Sequence, residues 1–447
     1  MLPGLIATVS RFSELSSYFE GRSMRRVILG VYLGALLATA LSPFAAAQKA
    51  FTWDEVKIRF ETNNPTLRAG AIGIDESKAN EITAYLRPNP DVYVSTDGTQ
   101  IAPYHGVWQP LTGTDEQVGG SYMHERRHKR ELRLLSAKGA TDIAMSGQAD
   151  LDRTLIFSLR SAFVSILQAK SVLDLVNRNL IYWDQVLRVS RDRFQAGDIA
   201  QLDLQRLELQ RAQFESDVQT AEVNLRTSKI ALLTLLNDRT PIDQFDVLGT
   251  YDFTEQIAPL ADFRQTALDN RPDLKEAGQS VDKAKVDHQL AVSNGSTDPT
   301  FSAWYTHNSS FNNPYAHDTL GGSISIPLRV FDRNQGEKLR TQLDIDRNQK
   351  LLDATQAQVF SDVDSAYAMV HSNVILLRMY KGKYLEESTQ VRDTVRFSYE
   401  HGGSALLDFL SAENDYRSVQ LSYVNLVGSY LLAAAQLNMA VGREVIQ

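Results

Sequence analysis

The sequence predicts a mainly α-helical protein with a small β part, organised as two internal repeats that each hold a strand pair and long antiparallel coiled-coil helices. Three observations predict it. Landmarks recur in the same order at a shift of roughly 200 residues. Short segments with a period of two precede long helical regions. Apolar residues at alternating spacings of three and four persist over more than four heptads, which is the pattern of a coiled-coil seam.

The repeat is clearest where "FQAGDIAQLDL" (194–204) lies over "YEHGGSALLDF" (399–409), setting Gly197 against Gly402, Asp203 against Asp408 and Glu208 against Glu413. Upstream, "NNPTL" (63–67) matches "NRPDL" (270–274), and "VGGS" (118–121) matches "LGGS" (320–323). The expected division is a leader over 1–47, a first repeat over 48–262 and a second over 263–447.

The leader is read from Met24-Arg25-Arg26, the apolar run 27–41 and "AAAQ" at 45–48, a secretory signal cleaved after Ala47. Translation from Met24 would place residues 1–23 upstream of it. No other segment is expected to approach a membrane-spanning helix, so any crossing must be by strands.

Each copy continues with a helix (67–86 and 274–292), then two strand-like segments around a polar loop. In "LGGSISIP", Leu320, Gly322, Ile324 and Ile326 share one face; in "TFSAWYTHN", Phe301, Ala303 and Tyr305 oppose Ser302, Trp304 and Thr306. Trp304 breaks the polarity of its face. Such segments are about as long as the 9 to 11 residues of a tilted membrane strand, and four strands cannot close a barrel, so several protomers would have to share one.

The long helix expected over 131–194 would reach about 90 Å at 1.5 Å per residue. It turns at Gly197, as its counterpart turns at Gly402, glycine being suited to positive φ or close backbone approach. The seam Phe409, Ala412, Tyr416, Val419, Tyr423, Leu426 and Tyr430 follows the second turn, with its tyrosines assigned to helix packing.

Composition narrows the function. A net charge of −8 over 447 residues makes nucleic acid an unexpected partner. The absence of cysteine excludes disulfides, thiolate metal sites and a lipid on an N-terminal cysteine. No phosphate loop, nucleophile elbow or dinucleotide fingerprint is present, so no cofactor is expected. One motif does point to chemistry. His124-Glu125-Arg126-Arg127-His128 has the His-Glu-x-x-His spacing with which one helical turn holds zinc and keeps a carboxylate as base. Its flanks carry cations that oppose a dication, and the repeat sets His124 against Ile326 and His128 against Val330, a strand end and a helix entry. Arg126, Arg127, Lys129 and Arg130 are therefore expected to meet anionic lipid headgroups, with no zinc and no catalysis.

Together the leader, the duplicated units and the strings "RPNPDV", "PLRVFDRNQGE", "RFQAGDIAQLDL" and "AAAQLNMAVG" resemble the TolC-like outer-membrane efflux family, most nearly its heavy-metal branch. The resemblance implies a homotrimer with a twelve-stranded outer-membrane β-barrel continuous with a periplasmic α-helical barrel. It implies a passive efflux conduit in the outer membrane, working with a periplasmic adaptor and an inner-membrane pump. On this reading Gly197, Asp198, Gly402 and Ser404 form the hairpin tips that meet the adaptor. Asp203 and Asp408 line the periplasmic gate, where a second tier of acids in similar proteins is replaced by Arg206 and Ser411, with Asp203 and Arg206 as a helical-turn pair. A type I secretion channel of the same fold is the near alternative. A periplasmic adaptor is the alternative from another class, disfavoured because it would carry one hairpin.

Overall fold

A computed structural model describes residues 49–308 and 317–446; the expected leader over 1–47 lies outside them. The elements run β1 (Lys49–Phe51), α1 (Trp53–Asn63), α2 (Pro65–Tyr85), β2 (Asp91–Asp97), β3 (Asp115–Met123), α3 (Lys129–Ala196) and α4 (Gln201–Leu235). The chain continues as β4 (Phe245–Val247), α5 (Leu260–Asn270), α6 (Pro272–Asn294), β5 (Thr300–Asn308), β6 (Asp318–Ser325), α7 (Gln335–Met379), a π turn (Tyr380–Tyr384), α8 (Leu385–Glu400) and α9 (Leu406–Val441).

Local chemistry explains the repeated short-helix, long-helix entry. Asn64 caps α2 by accepting from the N–H groups of Thr66 and Leu67 at 2.9 and 3.1 Å, and Pro65 takes the first helical position. Its counterpart Arg271 is buried and instead donates to Asp273 (2.5 Å) and Asp362 (2.8 Å), tying the α5–α6 corner to α7. Around these corners lie the two largest apolar cores. Phe51, Phe60, Phe163, Leu232 and Phe245 fill one, and Phe263, Val363, Val370, Tyr430 and Leu437 fill the other.

Two helices, Lys129–Ala196 and Leu406–Val441, contain stretches long and apolar enough to cross a membrane, which corrects the expectation that nothing beyond the leader approaches such a segment. The second buries Val427, Tyr430, Ala433 and Leu437 against its neighbours. Its apolar residues serve packing.

The four strands form one antiparallel sheet in chain order, β2-β3-β5-β6. Register aligns whole rows across it. Val94, Val118, Tyr305 and Leu320 form one row, and Phe301 pairs Tyr122 and Ile324 in another, all on the apolar face that the alternation predicts. The opposite face carries Ser121, Ser302 and Ser323, then Ser95, Gln117, Thr306 and Thr319. Trp304 is explained within this polar face. It sits in the row Tyr93–Gly119–Trp304–Gly321, where each ring covers a glycine on the neighbouring strand. A Cβ at position 321 would lie 2.5 Å from Trp304 Nε1, and one at 119 would lie 2.6 Å from Tyr93 Oη. Glycine is required there for close approach, and the rings shield the backbone those glycines leave bare.

Gly321→Ala is expected to force Trp304 off its rotamer and cost about 1–3 kcal/mol. Adding Trp304→Ala should recover part of that loss by removing the clash, so the pair should be non-additive in a double-mutant cycle of urea unfolding in detergent. Additive losses would show that the ring and the glycine are not in contact.

Candidate functional site

The hairpin tips are built twice by the same backbone motif. Gly197 has φ +84° and Gly402 φ +76°, left-handed values that favour glycine. The N–H of Gly197 donates to Phe194 O (3.0 Å) and that of Asp198 to Arg193 O (2.8 Å); Gly402 donates to Tyr399 O (3.2 Å) and Gly403 to Ser398 O (2.7 Å). The paired six-to-one and four-to-one bonds close each long helix as a glycine C-cap. Both tip glycines face open space, so conformation and not crowding selects them. Asp198 is exposed, whereas the Ser404 hydroxyl donates to Ser398 Oγ at 2.6 Å within the turn.

Three residues into the next helix stand Asp203 and Asp408, where a carboxylate complements the helix dipole. Asp408 is exposed and its Oδ2 accepts from the N–H of Ala405 at 3.3 Å. Asp203 is half-buried, and Arg206 and Ser411 are exposed. The expected Asp203–Arg206 pair is not formed among the described residues. Across the tip, Arg193 lies over the Tyr399 ring at 5.4 Å and Asp203 acts electrostatically on the same tyrosine.

Above the tips, an aromatic stack joins the two hairpins. Trp183 of α3 is fully buried, 5.1 Å from Phe214 of α4 and 6.1 Å from Phe409 of α9, and Phe409 stacks on Tyr399 of α8 at 5.0 Å. Trp183 Nε1 donates to Leu207 O at 3.1 Å, so the indole is also polar-satisfied.

Next to this stack is a polar cluster that the sequence did not single out. Glu413 is buried and accepts from the Tyr182 hydroxyl at 2.6 Å. Arg392, Arg396 and Asp393 face it from α8, with Arg392 4.0 Å over the Tyr416 ring. Burial pushes the Glu413 carboxyl above the usual carboxylate range, against the opposing pull of Tyr182 and the two arginines. Its repeat partner Glu208 stays exposed and pairs with Arg191 at 2.9 Å. Sequence spacing does not distinguish the two, because Glu208 follows buried Leu207 as Glu413 follows buried Ala412.

Residues 263–443 match the family model described as "Outer membrane efflux protein". The cobalt-zinc-cadmium resistance protein CzcC of Cupriavidus metallidurans is 22% identical over 382 residues, 85% of this chain and 87% of that protein. The second half of the chain is thus similar to outer membrane efflux proteins. Its fold is that of solved channels: CusC matches with a TM-score of 0.75 at 15% identity, over 88% of this chain and 92% of that one. VceC of Vibrio cholerae matches at 0.70 and 14%, over 88% and 97%.

The His-Glu-x-x-His segment is a connector, not a helix. It lies between β3 and α3, with Arg127 and His128 both left-handed at φ 56° and 54°. One-turn stacking of the two imidazoles is therefore absent. Glu125 is held by both terminal nitrogens of Arg133, one at 2.9 Å. No cluster of three or more His, Asp or Glu able to hold a metal occurs among the described residues. Two of the four expected headgroup cations are also reassigned. Lys129 is buried and binds Asp298 at 2.5 Å, and Arg130 pairs with Glu131 at 3.0 Å and covers the Tyr85 ring. The helix entry in the second copy comes later than the repeat alignment places it. Asn334, left-handed like His128, precedes α7, so Val330 lies within a longer connector.

A carboxyl raised in the folded state contributes stability that is full below its unfolded value near 4.5 and is lost as pH rises through the folded value. Amide exchange of the tip segments around Tyr182 and Glu413 is therefore expected to slow on acidification. Glu413→Gln, which keeps an acceptor for Tyr182, should flatten that dependence; an unchanged pH profile would assign it to other groups.

Proposed function

We propose that this outer-membrane efflux channel works as a homotrimeric passive conduit that opens at the hairpin tips when a periplasmic adaptor and an energised inner-membrane pump engage it. The observation that carries this reading is the four-stranded sheet with one apolar and one polar face and two unpaired edges. Three copies supply twelve strands and leave no edge in hydrocarbon. Repeats over 48–262 and 263–447 then each give the trimer one strand pair and one helical hairpin. The chain performs no catalysis of its own.

The exposed carboxylate of Asp408, with Asp203 at the matching position of the other hairpin, forms a single acidic tier around the aperture, and Gly197, Asp198, Gly402 and Ser404 shape the surface that the adaptor meets. The tier attracts cations and holds like charges together. The relative that confers cobalt, zinc and cadmium resistance favours metal cations as the cargo, and a cation-attracting aperture suits them.

In planar bilayers Asp408→Ala is expected to raise single-channel conductance and weaken cation preference, and Asp203→Ala/Asp408→Ala should do so further. Unchanged conductance and selectivity in both would remove the gate role. Deletion of the gene should sensitise cells to divalent metals if the cargo assignment holds.

A further inference from the structure

The connector that first suggested zinc forms one wall of an open cleft of 490 Å³ at the end of the sheet where α3 begins. Arg87, His124, Arg126, Arg127, His128 and Arg130 line it. Its acids are already engaged, Glu125 by Arg133 and Glu131 by Arg130. Arg87, Arg126 and Arg127 are exposed and make no ion pair among the described residues. The cleft is thus an anion site by charge and by donor supply.

The second connector indicates where the anion comes from. Asp298 draws the two connectors together: it accepts from the Arg126 N–H at 2.9 Å and from Lys129 Nζ at 2.5 Å, and it feels the charge of Arg329. Around Arg329, which turns inward and is half-buried, Leu328 and Phe331 stand 83% and 92% exposed. Leu320, Ile324, Ile326 and Leu328 keep one parity and are all exposed. The apolar face of β6 therefore runs on past its last ladder bond into the connector. A free anion in water would gain nothing from such a neighbour, whereas a lipid presents phosphate and acyl chain at these two places together.

We propose that the Arg87–Arg126–Arg127 cleft binds the phosphate of an anionic phospholipid at the inner surface of the outer membrane, while Leu328 and Phe331 insert beside its acyl chains. The inference rests on the channel reading for the sheet's place in the membrane. It supplies a specific lipid contact that fixes the height of the sheet against the bilayer.

The full chain in neutral detergent would be titrated with short-chain phosphatidylglycerol, short-chain phosphatidylcholine and inorganic phosphate, reading occupancy by native mass spectrometry. Phosphatidylglycerol is expected to bind most tightly. Arg126→Ala/Arg127→Ala should lose on the order of 10-fold or more of that affinity, as two cations near an anionic surface contribute, and Arg126→Lys/Arg127→Lys should retain most of it. Leu328→Ser/Phe331→Ser should weaken both lipids and leave inorganic phosphate unchanged. Equal binding of the two lipids, or an alanine pair that binds like the parent, overturns the proposal; inorganic phosphate binding as tightly as phosphatidylglycerol overturns the lipid as source. Single-channel conductance of the alanine pair separates this outcome from failure of the channel reading, because the cleft is remote from the tips in sequence and fold.

Discussion

Among the described residues the outer edges of the sheet, on β2 and β6, have no strand partner, and that condition shapes everything else in the molecule. A backbone N–H or C=O left open in hydrocarbon costs several kcal/mol, so a four-stranded sheet can enter a bilayer only by sharing its edges with copies of itself. That condition propagates into the helices. Each strand pair feeds one long hairpin, so under the proposed trimer closing the sheet would also set the helices side by side around an axis. The 68 residues of α3 span about 100 Å, and a helix of that length needs neighbours along its whole apolar stripe. Tyr416 and Tyr423 remain half-buried within one protomer, in keeping with a seam only partly covered by its own chain.

Within the protomer the two hairpins are held together unequally along their length. Near the cores around Phe163 and Tyr430 the contact is apolar and broad. Toward the tips it consists of the Trp183–Phe409–Tyr399 stack together with polar and cationic contacts, among them Glu413–Tyr182, Arg417–Asp217 and Arg193 over Tyr399. The stack is rigid and non-directional in chemistry, whereas the buried carboxyl is sensitive to charge and protonation.

Duplication supplied equivalent scaffolds that have since diverged in chemistry. The tip turns remain alike at the level of individual hydrogen bonds. The acids two turns beyond do not, since Glu208 is solvated and Glu413 is enclosed. The connectors differ most: the first exposes cations over a short path, and the second exposes Leu328 and Phe331 over a longer one.

Elements that obey a period or a backbone rule can be read from the order of residues alone. Strand alternation, the three-four helical seam and the positive-φ glycines are local consequences of geometry, so Thr300–Asn308, Leu406–Val441 and the turns at Gly197 and Gly402 were legible from spacing alone. Tertiary structure decided which side chains meet. Trp304 read as an anomaly until register placed it over Gly321, and Arg206 read as a partner for Asp203, whereas among the described residues the two form no ion pair. Lys129 read as a headgroup cation until Asp298, far along the chain, proved to enclose it. The His-Glu-x-x-His spacing is likewise a statement about a helix, and only the fold shows that these five residues are not one. Partners distant in sequence carry no periodic trace, because their contact depends on how packed elements cross and not on the order of residues within either.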